Sequence, residues 1–116
     1  DGFAVYAGDD EMTLPVTLLG GDGVVSVISN ALPGAFSMLT RAALAGDIAT
    51  AQKKHFELLD AMRACFYATN PVPVKTVLAA TTQMHEHVRL PLEPLSPESA
   101  TRRRVIDAFA PHLELL

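Results

Sequence analysis

Apolar residues fall into two kinds of run along this chain, and the kind changes near Gly46. Before Gly46, Phe3-Ala4-Val5-Tyr6 and Val24-Val25-Ser26-Val27-Ile28-Ser29 are short and nearly continuous. Runs of that length, bounded by glycine and rich in β-branched residues, predict strands buried on both faces, as in parallel sheets. Gly8-Asp9-Asp10 closes the first run, and Gly20-Gly21-Asp22-Gly23 opens the second. A helical pattern follows each strand. The first runs from Glu11 to Leu19, with Asp10 as its N-cap and Pro15 tolerated in the early turns. The second runs from Ala35 to Ala45, with Phe36, Leu39, Ala43 and Leu44 apolar and Gly46 as its stop. Strand–helix–strand–helix predicts parallel strands joined by right-handed crossovers.

After Gly46 only helical spacing remains. Asp47 caps a long predicted helix from Ile48 to about Tyr67. Ile48, Ala51, His55, Leu58, Met62 and Cys65 form its stripe, widened by Phe56, Leu59 and Phe66. Asn70-Pro71-Val72-Pro73 breaks it, and Val74 to about Thr81 reads as a shorter helix. His85 to Leu95 holds Pro91 and Pro94 and reads as an extended connection. Ser96 as N-cap and Pro97 at the first helical position predict a last helix to about Ala110.

Two parallel strands alone leave apolar edges with unpaired backbone groups. The expectation is therefore an α/β chain that needs strand neighbours. Residues 1–46 read as the final two βα units of a TIM (β/α)8 barrel, and residues 47–116 as a C-terminal helical region. Such a barrel takes about 250 residues. The remainder is expected upstream of Asp1, since the chain opens on Asp1-Gly2 and runs at once into a strand.

Composition narrows the function. The 116 residues are 49% hydrophobic and 19% charged, which excludes a chain disordered by composition. A net charge of −4 argues against nucleic acid as a partner. Arg102-Arg103-Arg104 sits between Glu98 and Asp107 and reads as a solvated helix face. The single cysteine, Cys65, rules out an internal disulfide and reads as a buried, inert thiol. No apolar run approaches the roughly 20 residues of a membrane span, and there is no signal-peptide pattern. The expected compartment is the cytoplasm, with no membrane partner.

Several segments, in order, resemble the dihydrodipicolinate synthase family of class I, pyruvate-dependent aldolases. Tyr6-Ala7-Gly8-Asp9-Asp10 resembles that family's Ser-Gly-Asp-Asp loop after the seventh strand, with Ala7 where serine is common. Gly23-Val24-Val25-Ser26-Val27, with Asn30 beyond, resembles its Gly-Val-Ile-Ser-Val-x-x-Asn on the eighth strand. Arg41-Ala42-Ala43-Leu44-Ala45-Gly46-Asp47 resembles its turn into the helical appendage. Asn70-Pro71-Val72-Pro73-Val74-Lys75 resembles its Asn-Pro-Ile-Pro-Val-Lys. Val88-Arg89-Leu90-Pro91-Leu92 with Pro94-Leu95 resembles its Leu-Arg-Leu-Pro-Leu-x-Pro-Leu stretch. The combination favours the synthase branch over the related N-acetylneuraminate lyases.

The resemblance implies condensation of pyruvate with aspartate 4-semialdehyde in lysine (diaminopimelate) biosynthesis. A lysine on the sixth strand forms the Schiff base, and a tyrosine–threonine–tyrosine relay moves protons. An arginine binds the aldehyde's carboxylate, and no metal or organic cofactor takes part. The assembly implied is a homo-oligomer, a tetramer or dimer. The catalytic lysine is expected upstream of Asp1, so the 116 residues alone are expected to be inactive. Another pyruvate-dependent aldolase or hydratase-aldolase is the alternative enzyme, and a non-catalytic oligomerisation module is the alternative of a different class.

Within the chain, the resemblance assigns Val25 to a main-chain contact with pyruvate. By residue type alone Val25 reads as a core valine. Gly8 and Asp9 follow as substrate-binding candidates, because active-site groups sit at the C-terminal ends of barrel strands and glycine permits close backbone approach. Asp9 and Asp10 read first as a helix-capping pair. Lys53 and Lys54 read as solvated helix charges. Lys75 could be a desolvated nucleophile but lies outside the expected strands. Gly20 to Gly23 precedes a strand and reads as a turn, not a phosphate cradle. His85-Glu86-His87 lacks helical i,i+4 ligand spacing, so no metal is expected. His55 reads as a packing residue.

Overall fold

A computed structural model of the chain describes residues 2–82 and 84–113. The chain divides into two compact units between Leu59 and Asp60. In the first unit, β1 (Tyr6–Ala7) and β2 (Gly23–Val24) pair in parallel, with Tyr6 opposite Gly23 and Ala7 opposite Val24. The helix α1 (Thr13–Leu18) joins them, entered through a 3-10 turn over Asp10–Met12. A second 3-10 turn, Ile28–Asn30, leads from β2 into α2 (Pro33–Leu44). The alternation predicted by the apolar runs is present, with helix α1 packed on both strands and on α2.

The strands are shorter than their apolar runs. Strand pairing needs a neighbour, and among the described residues each strand has only the other. Val5, just before β1, still bonds with Asp22, just before β2. The Asp22 carboxylate accepts the Val5 amide at 2.8 Å, and the Asp22 amide donates to the Val5 carbonyl at 2.7 Å. Beyond Val24, the predicted strand gives way at Ile28 to the 3-10 turn.

Gly23 carries a φ of +155°, and a Cβ there would lie 3.3 Å from the Tyr6 ring. Backbone and neighbour both favour glycine. Gly21 is tighter: a Cβ would meet the Val16 carbonyl oxygen at 2.8 Å.

Helix α3 (Ile48–Ala64) is capped as expected, with the Asp47 carboxylate accepting the Thr50 amide at 3.1 Å. A hydrogen bond with the Thr50 side chain, and after it the bond from the Thr50 amide, hold the Asp47 carboxyl below its ordinary value of 3.8. Ala51 packs with Leu14, Ala42 and Ala43 in the core of the first unit. The helix stops at Ala64, short of Tyr67, because the amides of Phe66 and Tyr67 turn back to the carbonyls of Arg63 and Ala64. Ala51, Leu58, Met62 and Cys65 are buried as the stripe predicts, whereas Phe56 and Phe66 are exposed and do not widen it.

In the second unit, α4 (Val72–Thr81) packs against α5 (Ala100–Phe109). Val77, Val105 and Phe109 are fully buried. Helix α4 begins two residues before the predicted Val74 because Pro73 fits its first turn. Helix α5 begins after Ser99, not Ser96. Ser99 Oγ accepts the Arg102 amide at 3.1 Å, the bond an N-cap makes. Ser96 instead forms a local turn, donating to Glu98 Oε2 at 2.7 Å. That bond lowers the Glu98 carboxyl from its ordinary value. Arg102 bridges Glu86 at 2.7 Å and the Leu95 carbonyl at 3.2 Å, pinning the extended connection before α5.

Candidate functional site

The C-terminal ends of β1 and β2 lie side by side, so the segments leaving them form one patch. The Val25 amide donates to the Ala7 carbonyl at 2.9 Å, extending the ladder one residue beyond β2. Val25 is 73% exposed. Gly8 is exposed, and nothing lies within 4 Å of where its Cβ would be. Asp9 is exposed and caps the 3-10 turn, its Oδ1 accepting the Glu11 amide at 2.9 Å. Gly8, Asp9 and Val25 are thus brought to the same ends of the paired strands.

Asp10 is a correction. It is not a helix cap: Asp9 caps the 3-10 turn, and α1 follows that turn with no side-chain cap. Asp10 is 1% exposed, and its Oδ2 accepts the amides of Val27 at 3.1 Å and Ile28 at 2.8 Å. Around it, Ser26 Oγ accepts the Ser29 amide at 3.0 Å, and Asn30 Nδ2 donates to the Val27 carbonyl at 2.9 Å. Residues 26–30 are therefore held by three polar side chains. Only the doublet Asp9-Asp10 hinted at this: a single capping position leaves the second carboxylate without a local task.

The patch offers backbone groups, one exposed carboxylate and an open glycine. It holds no nucleophile. The lysines lie elsewhere. Lys53 and Lys54 pair with Glu57 at 4.0 and 2.6 Å, and Lys75 donates to the His87 carbonyl. His55 stands edge-on to Phe56, with centroids 5.3 Å apart. Among the described residues no group of three His, Cys, Asp or Glu side chains could hold a metal. Among those residues no helix is long and apolar enough to cross a membrane.

Residues 1–107 match the model of the dihydrodipicolinate synthetase family. The chain belongs to that family. Over 109 residues, 94% of the chain, it is 62% identical to the 4-hydroxy-tetrahydrodipicolinate synthase of Salinibacter ruber, of which it covers 36%. Its fold superposes on dihydrodipicolinate synthase from Aquifex aeolicus with a TM-score of 0.92 at 38% identity, covering 99% of the chain and 39% of that structure. A chloride-inhibited dihydrodipicolinate synthase from Acinetobacter baumannii, solved with pyruvate, matches at a TM-score of 0.86 and 34% identity. That match covers 93% of the chain and 36% of the solved one. The chain thus spans little more than a third of the relatives it matches.

Proposed function

We propose that this chain is the closing part of a 4-hydroxy-tetrahydrodipicolinate synthase, which condenses pyruvate with aspartate 4-semialdehyde in lysine biosynthesis. The observation that carries this reading is the 62% identity to a protein of that name, spread over almost the whole chain. The open edges of the two-stranded sheet support it, since they call for strands this chain does not supply. In this reading residues 1–46 are the last two βα units of a (β/α)8 barrel, and residues 47–116 are the helical appendage. The assembled subunit is a cytoplasmic homo-oligomer, a tetramer or dimer, that uses no cofactor.

The chemistry divides accordingly. A lysine outside these residues attacks the ketone carbon of pyruvate, and water leaves as the Schiff base forms. Loss of a methyl proton gives an enamine, whose carbon attacks the aldehyde. This chain supplies one wall of the pyruvate site. Val25 contacts pyruvate through its main chain, and Gly8 and Asp9 line the adjacent loop. The Val25 amide already donates to Ala7, so the main-chain group it offers is its carbonyl, an acceptor held in place in advance on the strand end.

The test uses the full-length protein. It should consume pyruvate and aspartate 4-semialdehyde together, and borohydride should trap pyruvate on a lysine outside residues 1–116. The 116 residues alone should show neither behaviour. An adduct on Lys75, or synthase activity in the short chain, would overturn the proposal. Turnover with other aldehydes but not aspartate 4-semialdehyde would move the protein to a sibling aldolase.

A further inference from the structure

The carboxylate of Asp10 is almost wholly buried, yet it takes no part in capping the element it begins. Its two hydrogen bonds reach 17 and 18 residues forward, to the amides of Val27 and Ile28. Those amides open the 3-10 turn Ile28–Asn30, whose N-cap residue, Val27, makes no side-chain cap bond. Amides at such a start have no partner within their own turn. A side chain from the preceding βα unit supplies the missing acceptor.

The position of these bonds matters. The Val25 amide is tied to Ala7, and the Val27 amide is tied to Asp10. Only Ser26 lies between the two fixed points, and its hydroxyl is engaged with the Ser29 amide. The backbone around Val25 therefore has anchors on both sides. We infer that Asp10 is a positioning residue for pyruvate binding: its carboxylate sets the main chain that Val25 presents to the substrate. This inference rests on the function proposed above.

A second observation sharpens it. Asp10 Oδ1 is buried and takes part in no hydrogen bond among the described residues. Only one oxygen does the holding. An asparagine can supply that one acceptor equally well, so the tether should depend on the oxygen and not on the negative charge.

The experiment compares Asp10→Ala, Asp10→Ser and Asp10→Asn in the full-length protein. In Asp10→Ala the KM for pyruvate should rise about tenfold, as losing well-placed hydrogen bonds implies. Its kcat should stay within about twofold, the signature of lost binding rather than lost chemistry. Asp10→Asn should return the KM close to the parent value. Asp10→Ser, whose hydroxyl stops short of both amides, should behave like alanine and serves if the alanine variant does not fold. Hydrogen exchange at Val27 and Ile28 should quicken about tenfold in the alanine or serine variant and not in asparagine.

An unchanged pyruvate KM in the alanine or serine variant sinks the inference. So does an asparagine variant that fails to rescue, or a uniform loss of activity that merely follows the folded fraction. If the parent protein does not use pyruvate at all, the proposed function fails and the substrate role of Asp10 falls with it. The exchange measurement still reports separately whether the tether exists.

Discussion

The two ends of this chain treat their aromatic residues in opposite ways. Phe3, ahead of β1, is 89% exposed, while Phe109, at the end of α5, is fully buried. The difference lies in how each kind of element finds its partners. Helices α4 and α5 meet through side chains, and both lie in this chain. A strand is covered fully only when its backbone is paired on both sides, and among the described residues β1 is paired on one side only. Val5, Tyr6 and Val25 share the exposure of Phe3. An apolar surface of this kind on a sheet edge marks a contact awaiting its other half.

The comparison can be broken with one substitution made twice. In the 116-residue chain, Phe109→Ala should cost about 3–5 kcal/mol, the range for emptying a buried phenylalanine site. Phe3→Ala in the same chain should stay within about 0.5 kcal/mol, as surface changes do. Urea unfolding measures both. Moved into the full-length protein, Phe3→Ala should rise to several kcal/mol if further strands cover it. A Phe3 substitution that stays neutral there would remove the case for an incomplete sheet.

The open edge does not make the first unit loose throughout. The turn before β2 is closely packed, and Gly21→Ala tests how closely. The added methyl would approach the Val16 carbonyl oxygen to 2.8 Å, and backbone cannot swing aside as a side chain can. A loss of about 1–3 kcal/mol is expected from overpacking of this kind. Gly34→Ala is the control. It lies in α2 with nothing within 4 Å of the added Cβ, and alanine there should be neutral or slightly stabilising. Equal effects at the two glycines, read by thermal unfolding, would mean that the turn tolerates more than its geometry allows.

These contrasts also explain what could be read from residue order. The end of α2 and the start of α3 were legible because local signals settle them: Gly46 and the cap at Asp47. The last helix was misplaced by three residues because Ser96 and Ser99 are both acceptable caps. Only the turn closed by Ser96 and Glu98 separates them. The strands were legible as apolar runs, but their paired lengths depend on neighbours that no local pattern counts. At the site, Val25 came from a resemblance in the order of motifs, since by residue type it reads as core, whereas Gly8 and Asp9 came from their place at the end of a barrel strand. Asp10 reads as a cap because its actual bonds reach 17 and 18 residues ahead. Nothing local distinguishes a carboxylate that caps its own turn from one that holds another.

The smallest effect concerns pH, and it compares the two caps themselves. Asp9 and Asp47 each accept a nearby amide, and the Asp47 carboxyl is lowered through its bonds with Thr50. A carboxyl held below 3.8 when folded binds its proton more readily when unfolded. Its contribution to stability is therefore complete above that ordinary value and fades as the pH falls through the lowered one. Asp47→Ala should lower the thermal midpoint at neutral pH, and the gap to the parent chain should close on acidification below pH 3.8. A gap that persists unchanged into strong acid would show that the carboxylate charge has no part in capping α3, and that shape alone begins the helix.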